Sequence, residues 1–309
     1  MVTSIPLCFY PLQKIILDDD QAFAQSVLLK MHGYHFTAFH SPREALNYLL
    51  HEYRPEFTKT DLITLDNTAE NSSTQQAINI DIKKLKKMLA KQQHKDINVL
   101  LIDFHMPEIG GLDFLKKITH LPIKKVLITG DSDYKIAVDA FNQGLVDTYI
   151  RKNESDFLEK IQSVTFDLEW KYFTDLSSFM TDFSEFDYLR NNHFIEIFRK
   201  FIYENNIIAF CLVDIQGNFL TLDKQGNYKY ILVRNKAQLH ELAIIAKEDG
   251  ASLGVITQLE QGNVIPFFGD KNFWQVPAKE WDSYLHPANI INNESTLVWA
   301  AITEIGTKI

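Results

Sequence analysis

Three consecutive aspartates, Asp18-Asp19-Asp20, follow the apolar run Lys14-Ile15-Ile16-Leu17, and a single aspartate, Asp103, closes a second run, Asn98-Val99-Leu100-Leu101-Ile102. Carboxylates at the C-terminal ends of parallel strands meet in one crevice, where ligands bind. Grouped carboxylates repel by roughly 1–4 kcal/mol per pair at 4 Å, so such a group calls for a divalent cation. All-oxygen ligation with room for waters and phosphate oxygens suits Mg²⁺. Two further strand ends carry Thr129 and Lys152. A hydroxyl and an ammonium beside a carboxylate–Mg²⁺ cluster can hold the peripheral oxygens of a phosphoryl group. That leaves Asp103 to attack phosphorus. Phosphoryl transfer needs mainly positioning and charge neutralisation, and this constellation supplies both. Asp18-Asp19-Asp20 alone would be an ordinary solvated turn; its weight comes from Asp103, Thr129 and Lys152 at successive strand ends.

The elements that position these groups alternate apolar strands with amphipathic helices, the pattern of a parallel sheet covered on both faces. Lys14 to Leu17 is the first strand, and Phe23, Val27 and Leu28 mark the helix after it. Tyr34 to Phe39 is the second strand. Ser41-Pro42-Arg43-Glu44 then gives a capping serine, a proline at the first helical position and a glutamate at the third. Asn98 to Ile102, Lys125 to Thr129 and Thr148 to Arg151 complete five strands, with helices after Gly110-Gly111 and around Ile136, Ala137 and Phe141. One stretch, about residues 52–96, exceeds what ordinary element lengths require. Its middle, Asn67 to Gln76, is polar. Its end, Asp81 to Lys95, has the pattern of an extra helix with a basic, solvated face.

A chain of 309 residues favours two domains. Hydrophobic residues at 46% and charged residues at 23% are ordinary for a globular chain. No apolar run approaches the roughly 18 residues of a membrane span, and the N-terminus lacks the basic and apolar regions of a signal peptide. Two cysteines far apart in sequence, Cys8 and Cys211, suit a reduced compartment. The expected location is therefore the cytoplasm. A formal charge of −9 disfavours broad contact with a phosphate backbone.

Leu17-Asp18-Asp19, Ile102-Asp103-Phe104-His105-Met106-Pro107, Gly111, Ile128-Thr129-Gly130 and Tyr149-Ile150-Arg151-Lys152 resemble the CheY-like receivers of bacterial two-component response regulators. The resemblance covers about residues 10–165 in the expected order. It implies that Asp103 is the phosphoacceptor, that Asp19 ligates Mg²⁺ directly, and that Asp18 acts mainly through water. It implies further that the backbone carbonyl of His105 is the third protein ligand, that Thr129 and Lys152 sense the phosphoryl group, and that Tyr149 is the aromatic switch. The partner it implies is a sensor histidine kinase or phosphotransfer protein, with no enzyme activity beyond phosphoacceptance and dephosphorylation. Asn153 stands where the family usually has proline after the lysine, which removes the usual reason for a cis peptide there.

The expected organisation is a (βα)5 doubly wound receiver over 1–165, a helical connector over 166–205 and a smaller α+β output domain over 206–309. The aromatic tract Phe157 to Phe183 suits a core or a dimer seam. Tyr188 to Glu204 follows as an amphipathic helix. Ala209 to Asp214, Phe219 to Asp223 and Tyr228 to Val233 are short strands joined by turns at Gln216-Gly217-Asn218 and Lys224-Gln225-Gly226-Asn227, hence an antiparallel sheet. Helices over Lys236–Glu248 and Ser252–Gln261 and a strand over Thr296–Thr303 complete it. Asp214 and Asp223 sit at turn edges, the default place for aspartate, and His240 and His286 have no ligand-spaced companions. The segment Cys211 to Leu220, with Val264 to Phe268 and Trp281 to Pro287, resembles an uncharacterised module found behind some receivers, which implies no activity. No cyclase, phosphodiesterase, nucleophile-elbow or phosphate-loop motif occurs. Strands in the middle of the domain leave little place for a helix-turn-helix. Three outputs remain open: phosphorylation-gated dimerisation or binding of a downstream protein, an atypical nucleic-acid-binding regulator, and a small-ligand sensor.

Overall fold

Two large sheets of opposite kinds stand out among the described residues, and one helix serves both. The computed structural model describes residues 3–55, 63–66, 77–80, 87, 89, 95–130, 133–179, 184–214, 216–269, 271, 273–291 and 297–303. In chain order the strands are β1 (Cys8–Phe9), β2 (Gln13–Leu17), β3 (Phe36–Phe39), β4 (Ile63–Asp66), β5 (Ala77–Ile80), β6 (Ile97–Asp103), β7 (Lys124–Thr129) and β8 (Thr148–Arg151). The second half adds β9 (Ile207–Leu212), β10 (Asn218–Asp223), β11 (Tyr228–Asn235), β12 (Val264–Pro266), β13 (Leu285–Pro287), β14 (Asn289–Ile290) and β15 (Leu297–Thr303). The α-helices are α1 (Gln21–Lys30), α2 (Pro42–Asn47), α3 (Gly111–Lys117), α4 (Tyr134–Asn142), α5 (Phe157–Leu176), α6 (Asn192–Glu204), α7 (Lys236–Glu248) and α8 (Leu253–Gln261).

The first sheet runs β3-β2-β6-β7-β8, all parallel, which is the expected doubly wound order. Alternate residues of its strands feed the two layers of the receiver core, one on each face; the antiparallel half has the second core. Ile15, Leu17, Leu100, Ile102 and Leu127 pack under α2, α3 and α4. Ile16, Val99, Leu101, Val126 and Ile128 pack under α1 and the first half of α5. All seven residues of β6 are buried, as a strand covered on both faces requires. Ser41 caps α2 as its spacing predicts, accepting from the Glu44 N–H, and α2 runs into a π-helical turn over Tyr48–Glu52.

Within the surplus segment, β4 and β5 form an antiparallel pair. The polar middle Asn67–Gln76 lies outside the described residues. So does the expected basic helix, apart from Lys87 and Leu89, which are helical, with Leu89 buried in the second core.

The second sheet is antiparallel, in the order β1-β9-β10-β11-β15-β14, with β12 and β13 paired beside it. Its hairpins turn where the sequence places glycine: Gly217 has φ +105° and Gly226 φ +85°. At Gly217 a Cβ would also lie 2.6 Å from the Val233 carbonyl oxygen, so the position excludes any side chain. The helix expected from Tyr188 begins later. Ser184–Arg190 is 3₁₀, and Asn191 then caps α6 by accepting from the Phe194 N–H.

The N-terminal strand joins the antiparallel sheet. Cys8–Phe9 pairs with β9, Cys8 opposite Cys211, and Ile5, Leu7, Cys8, Phe9, Tyr10 and Leu12 are buried in the second core. Burying such side chains stabilises by about 1.5–3 kcal/mol each, so this short strand is drawn to the other sheet. A helical connector is present, and its first helix reaches into both halves. Phe157, Ile161 and Leu168 of α5 belong to a receiver core, whereas Trp170, Tyr172, Phe173 and Leu176 belong to the second core.

Candidate functional site

Parallel pairing of β2 with β6 sets Leu17 against Ile102. The next residues, Asp18 and Asp103, therefore lie side by side at the point where the strand order reverses. Asp18 is fully buried and Asp103 nearly so, while Asp19 is exposed. One oxygen from each of Asp18, Asp19 and Asp103 falls within 4.8 Å of the others. Asp20 has a different task. It caps α1, its Oδ1 accepting from the Phe23 N–H at 3.0 Å, and its own N–H donates to Asp18 Oδ1 at 2.9 Å.

Lys152, just past β8, closes the pocket. Its Nζ is 2.7 Å from Asp18 Oδ2 and 2.9 Å from Asp103 Oδ1, and it sits 4.4 Å from the centre of the Phe23 ring. Desolvation opposes its charge, but bonds to the two carboxylates outweigh this and hold its pKa above the ordinary lysine value. Asp18 is pushed above the ordinary carboxylate range, because burial outweighs its bonds to Lys152 and the Asp20 N–H. Phe23 is a contact the sequence did not single out. Its only signal is its place in the first turn after the aspartates.

Thr129 ends β7, fully buried, and its hydroxyl donates to the Gly130 carbonyl at 2.9 Å. Backbone pairing ties it to its partner, since the Lys152 N–H donates to the Thr129 carbonyl at 3.0 Å. His105 lies two residues past Asp103 with an exposed ring, whose Nε2 is 2.9 Å from Asp133 Oδ2. Nothing in the spacing of His105 and Asp133 signals that contact. Tyr149 is half-buried in β8 and packs against the core under α2, α3 and α4. The structure thus brings Asp18, Asp19, Asp103 and Lys152 together, with Thr129 bonded to the Lys152 backbone and Tyr149 on the same strand as Arg151. No cis peptide occurs among the described residues, the Lys152–Asn153 bond included.

Gly111 shapes the pocket from behind. A Cβ there would lie 2.4 Å from the Asp103 carbonyl oxygen and 3.1 Å from Phe104 Cα. The close approach lets the Gly111 N–H reach the Phe104 carbonyl at 3.0 Å, which starts α3 directly behind the acidic residue.

Residues 67–162 match the family described as response regulator receiver domain. The solved response regulator LqsR of Legionella pneumophila is similar along 99% of this chain and 91% of its own, with 28% identity and a TM-score of 0.78. A CheY-like receiver domain protein from Methanospirillum hungatei aligns with 52% of this chain and 98% of its own, with 23% identity and a TM-score of 0.32. An adenylate cyclase from Rhodopirellula baltica aligns with 54% of this chain and 92% of its own, with 17% identity and a TM-score of 0.34. No curated protein matches the chain. The family match over residues 67–162 and the likeness to LqsR along nearly the whole chain support a response regulator with a CheY-like receiver domain. The module behind the receiver is uncharacterised. Among the described residues no helix is long and apolar enough to cross a membrane.

Proposed function

We propose that Asp103 accepts a phosphoryl group from a sensor histidine kinase or a phosphotransfer protein, and that this switches dimerisation or downstream binding through the C-terminal module in the cytoplasm. The observation that supports it best is the bridge from Lys152 to both Asp18 and Asp103. An ammonium shared by two buried carboxylates is a resting arrangement with one negative charge still uncompensated, and Asp19 adds another nearby. Oxygen donors only, clustered on one side, fit Mg²⁺. Asp18, Asp19, Asp103 and the His105 carbonyl would hold it; when bound it neutralises charge between the incoming phosphoryl group and the carboxylates.

Asp103 then forms an oxygen–phosphorus bond as the donor's bond to phosphorus breaks. Lys152 is within reach of a phosphoryl oxygen on Asp103 after giving up one of its two present contacts. Thr129 Oγ1 gains the same role by leaving the Gly130 carbonyl, and Tyr149 on β8 is the neighbour that responds. The last receiver helix, α5, carries the change onward, because its second half is part of the other core.

Mass spectrometry after acetyl phosphate treatment with Mg²⁺ tests the acceptor. Asp103→Asn is expected to abolish an acid-labile phosphoryl adduct while leaving the fold intact; an adduct of equal yield on the variant would point to another residue. Light scattering of wild type with and without beryllofluoride tests the output. Identical mass and identical partner binding in both states would remove the switching half of the proposal.

A further inference from the structure

A second cleft opens in the C-terminal module, well separated in sequence from the acidic pocket. Its volume is about 280 Å³, and it lies between the β9–β10 turn and the loop after β12. At its edge is Arg234 of β11, a residue only 2% exposed. Arginine has five N–H donors and no acceptor. In Arg234, Nη1 donates to the Gln216 and Val233 carbonyls at 2.9 and 2.8 Å. Nη2 donates to Asn218 Oδ1 at 2.8 Å and more weakly to Gln216 Oε1 at 3.4 Å. Those bonds clamp the β9–β10 turn to β11, which is a structural task. They leave one group over: Nε, buried, has no hydrogen-bond partner.

The charge is equally unanswered. No carboxylate of the described residues lies within ion-pair distance of Arg234. Asp214 is the acid whose field it feels most, but that carboxylate is engaged elsewhere. Its Oδ1 accepts from the N–H groups of Gln216, Gly217 and Asn218 at 3.0, 3.1 and 3.1 Å, and its Oδ2 accepts from Asn218 Nδ2. A buried charge without a partner is a large penalty, and a fold that keeps one beside an open cleft has a use for it. Lys271 on the same rim adds positive charge. Asp214, Gln216 and Asn218 line one side, their polar groups tied into the β9–β10 turn, and the opposite side is apolar. Phe267 packs tilted against Tyr230, ring centres 4.5 Å apart, and Phe268 meets Trp281 edge-on at 5.0 Å.

We propose that this cleft binds a small organic oxyanion, a carboxylate or a phosphate monoester on a flat apolar body, with the Arg234 Nε–H donating to the anion and Phe267 and Phe268 covering the body. A volume near the lower end for ligand pockets restricts it to small molecules. The site does not depend on the receiver chemistry, and gives the module an input of its own.

The test follows the Arg234 Nε–H resonance in full-length protein carrying ¹⁵N-arginine, assigned by its absence from Arg234→Lys. Benzoate, phenyl phosphate and the neutral benzamide are titrated in turn. The expected result is a saturable shift with one or both anions, at least about tenfold weaker with benzamide. A response to benzoate alone identifies the carboxylate class, and a response to phenyl phosphate alone the phosphate class. Lys271→Ala, which leaves the Arg234 clamp intact, is expected to weaken the response several-fold. No shift with either anion up to about 10 mM, or benzamide binding as tightly as the anions, overturns the proposal.

Discussion

Lys14 and Glu169 form an ion pair, Nζ to Oε1 at 2.6 Å, with both side chains shielded from water. Lys14 also donates to the Leu12 carbonyl at 3.2 Å, and Glu169 accepts from Asn98 Nδ2 at 3.2 Å. The pair fastens α5 to β2 and β6 beneath the sheet. Removing one partner strands the other charge in the interior, so Glu169→Ala is expected to cost about 3–5 kcal/mol in urea unfolding. The double change Lys14→Met with Glu169→Leu should recover most of that loss, because well-packed apolar side chains often replace such a pair at little cost.

Gly111→Ala inserts a carbon where only 2.4 Å separates it from the Asp103 carbonyl. The nearest atoms are backbone, which cannot swing aside, so the start of α3 and the end of β6 must move apart. The expected penalty is about 1–3 kcal/mol, as for overpacking elsewhere. Acetyl phosphate labelling of Asp103 should fall by more than the unfolded fraction accounts for, because the carboxylate itself is displaced. Labelling at the wild-type rate in a fully folded variant would contradict this.

Asp223 gives the second domain an acid limit. Burial acts to raise its pKa, but bonds from the Asn227 N–H at 2.8 Å, Asn227 Nδ2 at 3.1 Å and the Gln225 N–H at 2.9 Å prevail, and the value is lowered. A depressed folded value makes its stabilisation complete above the unfolded value near 4, and lost as pH falls through the lower folded one. Asp223→Asn is therefore expected to lower the unfolding free energy at neutral pH by about 1–3 kcal/mol. It should also flatten the decline in stability below about pH 4. An unchanged acid slope would exclude this carboxylate as a contributor.

The receiver sheet is legible in the sequence because each strand is a short apolar run that stops abruptly, and two of them stop on aspartate. Capping and turn chemistry is equally local: Ser41-Pro42 begins α2, and the glycines at 217 and 226 fix the hairpins. What escapes is long-range. Cys8–Phe9 is too short to carry a periodicity, and its pairing with β9 rests on contacts about 200 residues away. Asn191 does carry a capping signal, but an aromatic pattern continuous through Tyr188 masks it. Of the acidic pocket, Asp18, Asp19, Asp103 and Lys152 come together from the expected strand ends, yet the double bridge from Lys152 depends on a side-chain path across those ends that spacing does not encode. Arg234 stands out in sequence only as a charge closing the apolar run Ile231-Leu232-Val233.

Cys8 and Cys211 face one another across β1 and β9, both buried. Burial, reinforced by the nearness of Cys211, pushes the Cys8 thiol well above its ordinary pKa. Since the thiolate is the reactive form, neither residue is expected to react with iodoacetamide in the native protein at neutral pH, and both should react after denaturation. Rapid native labelling would show that β1 detaches from the sheet.

The shared helix α5, together with the return of the first strand to the far sheet, means that the polypeptide crosses between its two halves at both of its receiver ends. A cut after residue 165 would sever α5 ahead of Leu168, which serves a receiver core, and would also leave Ile5 to Leu12 attached to the wrong fragment. Dissecting this protein into autonomous pieces by a single cleavage is thus ruled out by its connectivity. A receiver fragment needs trimming before Gln13 and would carry in α5 residues of the other core from Trp170 on, and the remainder would need both its N-terminal strand and that half of α5 supplied separately.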